Sequence, residues 1–422
     1  MTSDVVFERA RIVDGSGAPW FRGAVGVRDG RIVEIERGTG HGLDAQTRVD
    51  VDGSVLAPGF IDTHSHSDLE LFRNPTLAPK VRQGITTEIL GQDGFSMAPM
   101  YREDGASEWR QHLGALAGQV DREWSWGSLT EYFVAVETSG VGPNVATLIG
   151  HGTVRYNVLG MDDRAPTEAE VAEMADLVVE SLDAGAIGFS TGLIYPPCSY
   201  GTTEEVGRLA GALGPYGRPF VAHIRSEGRW LWTALDEFVD IGADESIPLH
   251  ISHFKVAGTE QHGKADRALA TIETARERGI DVTVEQYPYT AGSTMLSALL
   301  PPWVHAKGTE ETLATLADPE ARERIERDIR EWRTDGWENM GQLSGWDNVV
   351  ISDMAGSDAE TFEGRSIADI AAERETTPVE TVCDLLIEGE LGVSIVIHFL
   401  AESDVREILA AERVNVGTDG LF

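Results

Sequence analysis

Short apolar segments alternate with longer amphipathic segments along most of the chain. The apolar segments are residues 60–63, 87–90, 145–149, 186–190, 219–223, 247–251, 280–284, 393–397 and 414–416. Between them lie segments with helical periodicity, for example residues 168–184, 228–241 and 265–278. The alternation predicts an α/β fold in which helices cover a parallel sheet. Because the 422 residues exceed a barrel of about 250 residues, we expect a (β/α)8 TIM-like barrel that carries additions.

The predicted barrel has one strand too many. Nine apolar segments compete for eight places, and the pattern does not show which segment lies outside. Residues 292–347 are rich in Trp, Pro, Glu and Arg, and they interrupt the alternation. We therefore expect an insertion at this place.

The first 57 residues have a different pattern, which predicts a small N-terminal β domain. Their apolar runs are short enough for strands and lie at residues 5–7, 10–13, 24–28 and 31–35. Asp29-Gly30 separates the last two runs and is a strong signal for a two-residue hairpin turn. Pro58-Gly59 follows these strands, so we assign residues 1–57 to the β domain and residues 58–422 to the barrel.

The charge of the chain is strongly acidic. Seventy Asp and Glu residues stand against 34 Lys and Arg residues, which gives a formal net charge of −36. Such a surface repels phosphate backbones and anionic lipids, so we expect neither nucleic acid nor membrane partners. The acid excess, with only four lysines, favours a halophilic protein, because salt screens the repulsion between like charges. Simple solubility is the alternative explanation.

Two features bear on the compartment. The first residues lack the basic start and apolar core of a secretory signal, and no apolar run is long enough to span a membrane. Cys198 and Cys383 are too few for a disulfide framework. The sequence therefore predicts a cytoplasmic protein with free thiols.

Side chains that can bind metal follow several of the predicted strands. His64 and His66 come directly after the first apolar segment and are two residues apart, so both rings can point to one cation. His223 and His253 end two consecutive segments, thirty residues apart, which is about one βα unit. Active sites of barrels gather at these strand ends. A histidine satisfied in the core is the structural alternative for each.

A carboxylate follows the last apolar segment. Asp419 could remove the proton from a water whose pKa a metal ion has lowered. The structural alternative is an Asp-Gly turn.

Longer segments of the chain resemble one enzyme family. These segments are residues 56–66, 150–153, 188–197, 223–228, 252–255 and 287–290. In sequence and order they are similar to the D-aminoacylases, the N-acyl-D-amino-acid deacylases of the amidohydrolase superfamily. The similarity extends from about residue 5 to the last residue.

The resemblance implies a role for each candidate residue. His223 and His253 would hold a tightly bound zinc ion, His64 and His66 a weaker second metal, and Asp419 would be the general base and then the acid. The positions that help to hold the substrate carboxylate would be Lys255, Tyr287 and Ser293. Three further residues would line the pocket, namely His151, Tyr195 and His398.

The chain departs from the family at two places. Residues 91–94 read Gly-Gln-Asp-Gly where the family has Gly-Asn-Cys-Gly with a cysteine ligand. Asp93 can still supply an oxygen ligand, and its two oxygens could bridge two ions. In addition, the sequence stops three residues after Asp419, whereas the family continues through a helix and returns to the small β domain. We therefore expect the C-terminal part of the family fold to be missing.

The predicted reaction is metal-dependent hydrolysis of the amide bond of N-acyl-D-amino acids, which gives a carboxylate and a free D-amino acid. One alternative is a cyclic amide hydrolase resembling hydantoinase or dihydroorotase. Those enzymes use a carboxylated lysine on strand four, and residues 186–190 contain no lysine. Another alternative is a non-catalytic, truncated fragment of the fold. The acyl group, the side chain of the substrate (neutral, Asp-like or Glu-like), the number of metals and the oligomeric state stay open.

Overall fold

The computed structural model describes residues 2–38, 42–102, 105–117, 124–334, 336–356 and 359–421. It divides the chain into two compact units, Met1–Phe60 and Ile61–Phe422.

The N-terminal unit is a β-sheet. Its strands are β1 (Ser3–Ile12), β2 (Phe21–Arg28), β3 (Arg31–Arg37), β4 (Ala45–Asp50) and β5 (Val55–Leu56). The order is β3-β2-β1-β4, and β5 pairs with β1. Asp29 and Gly30 have φ angles of 51° and 71°, as a tight turn between two antiparallel strands requires. The two runs predicted at residues 5–7 and 10–13 form the single strand β1, which has an irregular register between Phe7 and Ala10.

The later strands form three further sheets. They are β6 (Phe60–Asp62), β7 (Ile85–Leu90), β8 (Asn144–Thr147), β9 (Ile149–Gly150), β10 (Phe189–Gly192), β11 (Phe220–His223), β12 (Leu249–Ile251), β13 (Val282–Gln286), β14 (Ala291–Met295), β15 (Val349–Met354), β16 (Val393–His398) and β17 (Val414–Val416). One sheet has the order β17-β13-β12-β11-β10-β9, and all of its pairs are parallel. Another has the order β6-β7-β8.

Helices alternate with the parallel strands. They are α1 (Glu70–Arg73), α2 (Ala78–Val81), α3 (Gly105–Ala117), α4 (Leu129–Ser139), α5 (His151–Leu159), α6 (Glu168–Asp183), α7 (Thr203–Ala210), α8 (Leu231–Glu245), α9 (Ala265–Glu277), α10 (Thr309–Ala317), α11 (Pro319–Glu331), α12 (Met340–Ser344), α13 (Ala359–Phe362), α14 (Ile367–Arg374), α15 (Pro378–Glu388) and α16 (Glu402–Ala410). None of the described helices is both long and apolar enough to cross a membrane.

Helix α6 shows why these segments are helical. Thr167 and Glu170 form a capping box at its start, a feature that stabilises a helix by about 1 kcal/mol. Val171, Met174 and Val178 are buried, and their spacing of three and four residues places them on one face. The same spacing predicted this helix from the sequence.

One of the nine apolar segments, residues 393–397, lies outside the parallel sheets. It forms β16, which pairs antiparallel with β14 and β15 in a separate three-stranded sheet. Val393, Ile395 and Ile397 are buried there like the residues of any core strand, so hydrophobicity alone could not distinguish it. The region expected to be an insertion, residues 292–347, supplies most of β14 together with α10, α11 and α12.

From two histidines of the C-terminal unit we predict a loss of stability in acid. Burial lowers the pKa of His305 to about 3, and it also lowers the pKa of His112. The unfolded chain binds these protons near pH 6.5, so protonation favours unfolding as the pH falls below about 6.5. We expect the urea midpoint to decrease from pH 7 to pH 5, and to decrease less in the His305→Gln variant, which keeps a donor for the Ser297 carbonyl. Equal decreases in both proteins would contradict this assignment.

Candidate metal and active site

The predicted metal-binding side chains converge at the ends of the parallel strands. His64 and His66 follow β6, Asp93 follows β7, His223 ends β11, and His253 follows β12. Their nitrogen and oxygen atoms form two groups, and within each group these atoms lie within 4.8 Å of one another. The first group consists of His64, His66, Asp93 and Asp419. The second consists of Asp93, His223 and His253.

Asp93 belongs to both groups. Its Oδ2 atom lies 3.6 Å from His64 Nε2 and 3.5 Å from His66 Nε2. Its other oxygen, Oδ1, lies 3.6 Å from His253 Nε2. One carboxylate therefore faces both sets of imidazoles, as a bridging ligand would.

Asp419 lies at the edge of the first group. Its Oδ1 atom is 3.4 Å from His64 Nε2 and 3.5 Å from His66 Nε2. The backbone of Asp419 donates a hydrogen bond to the carbonyl of His64, at 3.0 Å. The loop after β17 is thus fastened directly to the loop that carries the first two histidines.

Three of these residues have an unusual backbone. The φ angles of Asp93, His253 and Asp419 are 53°, 34° and 50°, in the left-handed region that side chains other than glycine rarely adopt. The conformation turns each side chain from its strand end toward the common centre. Strain of this kind is concentrated at functional sites.

The donor set fits a metal ion. Within the described part of the chain, both ring nitrogens of His223 and the Oδ1 atom of Asp93 are buried without a hydrogen-bond partner. Unpaired buried polar atoms are costly, and a bound cation would satisfy them. Imidazole nitrogen and carboxylate oxygen are common ligands of zinc.

The two carboxylates of the site are held in their ionised form. Burial raises the pKa of Asp93, but His64 and His253 outweigh burial and hold it well below its ordinary value. The same opposition holds the pKa of Asp419 at about 2. Burial lowers the pKa of His223 to about 4, so its ring is neutral and can act as a ligand.

Two glutamates that the sequence analysis did not single out support the histidines. Glu285, at the end of β13, lies 2.5 Å from His64 Nδ1. Glu227 lies 3.0 Å from His253 Nδ1 and accepts a hydrogen bond from Lys255. Carboxylates of this kind orient ligating imidazoles. The position of Glu285 directly after the apolar segment of residues 280–284 was the available signal, and Glu227 lies within the segment of residues 223–228.

The residues expected to hold the substrate line one cavity with the metal-binding groups. Lys255, Tyr287, Ser293 and Tyr195 all contribute to its wall. The hydroxyl of Tyr287 is buried and has no hydrogen-bond partner among the described residues, whereas Ser293 donates to the carbonyl of Ile395. The apolar part of the wall consists of Leu116, Met340, Ile397 and Phe399.

Two expected pocket residues lie elsewhere. His151 is buried at the start of α5, where its ring nitrogens contact Thr191 at 2.9 Å and Glu205 at 3.1 Å. It is not part of the cavity wall. His398 is exposed at the end of β16 and also lies outside the wall. Similarity of segments could not reveal this, because the direction of each side chain depends on its packing.

Comparison with known proteins decides the family. Residues 47–419 match the model described as "Amidohydrolase family". The chain belongs to the amidohydrolase family. It is 33% identical, over 419 residues, to the D-aminoacylase of Alcaligenes xylosoxydans xylosoxydans, and this alignment covers 99% of this chain and 74% of the relative.

Solved structures of other members resemble this amidohydrolase. The N-acyl-D-glutamate deacylase of Bordetella bronchiseptica, complexed with zinc and a phosphonate inhibitor, has a TM-score of 0.80 and 29% identity, with coverage of 100% of this chain and 76% of that chain. A D-aminoacylase structure that concerns a binuclear metal centre has a TM-score of 0.79 and 29% identity, with coverage of 99% and 76%. These matches cover 99–100% of this chain, and they do not support the expectation that a C-terminal part of the fold is missing.

Replacing the predicted metal ligands of this amidohydrolase should lower its metal content. We expect His223→Ala and His253→Ala to lose most of the tightly bound metal, and Asp93→Ala to disturb both groups. Asp93→Cys should keep one tight metal ion and weaken the second, because a single sulfur replaces two oxygens. Emission spectrometry of the purified proteins measures the metal content.

The exposed His398 provides the matched control for these histidine substitutions. His398→Ala should keep the metal content of the wild type. Full metal content in both His223→Ala and His253→Ala would show that the ligands are assigned wrongly.

Proposed function

We propose that this amidohydrolase hydrolyses the amide bond of N-acyl-D-amino acids in a metal-dependent reaction. The observation that carries the proposal is the shared position of Asp93 between two groups of imidazoles, with Asp419 beside one of them. The D-aminoacylase relative and the deacylase structure with its phosphonate inhibitor support it. The products are a carboxylate and a free D-amino acid.

The proposed scaffold is a closed (β/α)8 barrel formed by residues 58–422, and the chain also contains a small β domain formed by residues 1–57. Only Leu148 separates β8 from β9, so these two strands would act as one and join the parallel sheets. On the other side, Ser65 and Gly420 form a parallel bridge, and the backbone N–H of His66 donates to the carbonyl of Gly420 at 3.0 Å. Eight strand positions would then complete the ring.

The proposed ligands divide between two ions. His223 and His253 would hold the tight zinc, His64 and His66 would hold a weaker second ion, and Asp93 would contribute to both sites. A zinc ion supplies Lewis acidity, which polarises a carbonyl and lowers the pKa of water. The residues of the chain provide the orientation and the proton transfer.

Asp419 is the proposed general base. Its carboxylate is ionised and lies beside His64 and His66, so it can remove the proton from the attacking water. The same carboxylate then returns the proton to the nitrogen of the leaving amine. Lys255, Tyr287 and Ser293 would hold the carboxylate of the substrate, and Tyr195 would pack beside it.

The cavity wall favours a neutral substrate side chain. Leu116, Met340, Ile397 and Phe399 form an apolar surface, and the described wall contains no arginine. Lys255 is assigned to the α-carboxylate and is already paired with Glu227. An aspartate-like or glutamate-like side chain would therefore lack a counter-charge, and burying an unpaired charge is costly.

A cyclic amide hydrolase is the less supported reaction. The carboxylated lysine that such enzymes place on their fourth strand has no counterpart in β10, which has the sequence Phe-Ser-Thr-Gly.

The proposed reaction predicts release of D-amino acids from a panel of N-acyl substrates. We expect turnover of N-acyl-D-methionine or N-acyl-D-leucine by the zinc-loaded protein, and weaker turnover of the D-aspartate and D-glutamate analogues. Asp419→Asn should lower kcat at least about 100-fold, because it removes the general base. Asp281→Asn, on the surface, is the control. No release from any linear substrate would contradict the function, and a preference for acidic substrates would contradict the proposed side-chain class.

We also propose that the protein is adapted to high salt and resides in the cytoplasm. The net charge of −36 and two buried free cysteines support these proposals. The melting temperature should rise from about 0.1 M to about 1 M sodium chloride, over which the screening length decreases from about 10 Å to about 3 Å. A parallel series in sodium sulfate separates screening from general salting-out. A flat or falling melting temperature in chloride would refute the adaptation.

A further inference from the structure

A buried lysine joins four parts of the chain near the proposed base. Lys80, in α2, is 5% exposed. Its ammonium group donates to Asp62, to Ser65 at 3.1 Å and to Thr418 at 2.7 Å, and it lies 3.3 Å from Glu88. The partners come from β6, from the loop after it, from β7 and from the loop after β17.

Charge balance explains why a cation is needed here. The side chains of Asp62 and Glu88 are fully buried, and Lys80 is close to both. Removing the lysine would leave two buried carboxylates without compensation, which is strongly destabilising. A contribution to stability is therefore expected whatever else the group does.

The contacts of Thr418 point to a more specific role. Its backbone N–H donates to Asp62 Oδ1 at 2.8 Å, and its hydroxyl donates to Asp62 Oδ2 at 2.7 Å. The same hydroxyl accepts from Lys80 and from the backbone N–H of Gly420, at 3.2 Å. The residue immediately before Asp419 is thus held through its backbone and its side chain.

Asp419 depends on this support. Its backbone has a φ angle of 50°, which an aspartate adopts at a cost of order 1 kcal/mol and keeps only where the surroundings hold it. The contacts of its carboxylate with His64 and His66 are 3.4 and 3.5 Å long, longer than good hydrogen bonds. Its position is therefore determined by the backbone on either side.

We propose that Lys80, Asp62 and Thr418 form a positioning unit that holds Asp419 in place for proton transfer. The unit acts through the backbone of the loop after β17 and does not contact the substrate. The inference rests on the proposed function, in which Asp419 is the base. A base displaced by about 1 Å can lose about 100-fold in rate, so the effect should appear in kcat.

A pair of substitutions at Thr418 separates this role from general stability. Thr418→Val keeps the shape of the side chain but removes the hydroxyl, whereas Thr418→Ser keeps the hydroxyl. For the full chain loaded with zinc and assayed on N-acyl-D-methionine, we expect valine to lower kcat per folded molecule at least about 10-fold, with KM within about 2-fold. Serine should restore most of kcat. Thr274→Val, on the exposed face of α9, is the matched control.

Hydrogen exchange gives a readout that does not depend on activity. In Thr418→Val, amides of residues 414–421 should exchange at least about 10-fold faster, while those of α6 and α9 exchange as in the wild type. Lys80→Met should show the same local change together with a larger loss of thermal stability, because it leaves Asp62 and Glu88 unpaired.

The outcomes are distinct. A valine variant with unchanged kcat and unchanged local exchange, but a lower melting temperature, would overturn the positioning role. A serine variant as impaired as the valine variant would also overturn it, because the hydroxyl would then not be the determinant. If the wild type releases no D-amino acid, the proposed function fails, and the exchange of residues 414–421 still decides whether the Thr418 hydroxyl holds this segment.

Discussion

The site depends on one carboxylate placed between two sets of imidazoles. Asp93 can reach both sets because the loop after β7 turns sharply, with Gly91 and Gly94 at φ angles of 69° and 81°. A side chain at Gly91 would meet the carbonyl of Leu148 at 2.2 Å, so this close approach requires glycine. Ser190 fastens the loop by donating to Gly91 and accepting from Gly94. The charge at the centre is thus fixed by backbone packing, not by flexible side chains.

Two of the four lysines of this acidic protein are buried near the candidate metal-binding side chains. Lys255 pairs with Glu227 beside His253, and Lys80 pairs with Asp62, which contacts the loop that carries Asp419. A surface lysine would oppose the acidic character of the exterior, whereas a buried ammonium compensates carboxylates that cannot be solvated. The scarcity of lysine and its retention at these two places are therefore compatible. Each buried lysine supports one of the two groups of metal-binding side chains.

Local features of the sequence predicted the histidines, but not the residues that support them. The pair at His64 and His66 follows an apolar strand, and both the spacing and the strand can be read from adjacent residues. Glu285 meets His64 across 221 residues of sequence, so the contact exists only after the sheet has formed. Likewise, β16 has the hydrophobicity of a barrel strand, and only its antiparallel pairing places it elsewhere. The expected pocket residue His151 has its partners in Thr191 and Glu205, which no local pattern reveals.

The strained backbones of Asp93, His253 and Asp419 have a common cause. Parallel strands deliver their last side chains alternately to the two faces of the sheet, so a regular strand end cannot aim every functional group at one point. A residue with a left-handed backbone conformation, just beyond the end of the strand, changes the direction of its side chain at a cost of order 1–3 kcal/mol. The cost is offset by buried hydrogen bonds such as those of Thr418 with Asp62, which are made entirely within the chain. Contacts within the chain thus supply part of the energy of arranging the side chains, and a ligand has to supply less of it.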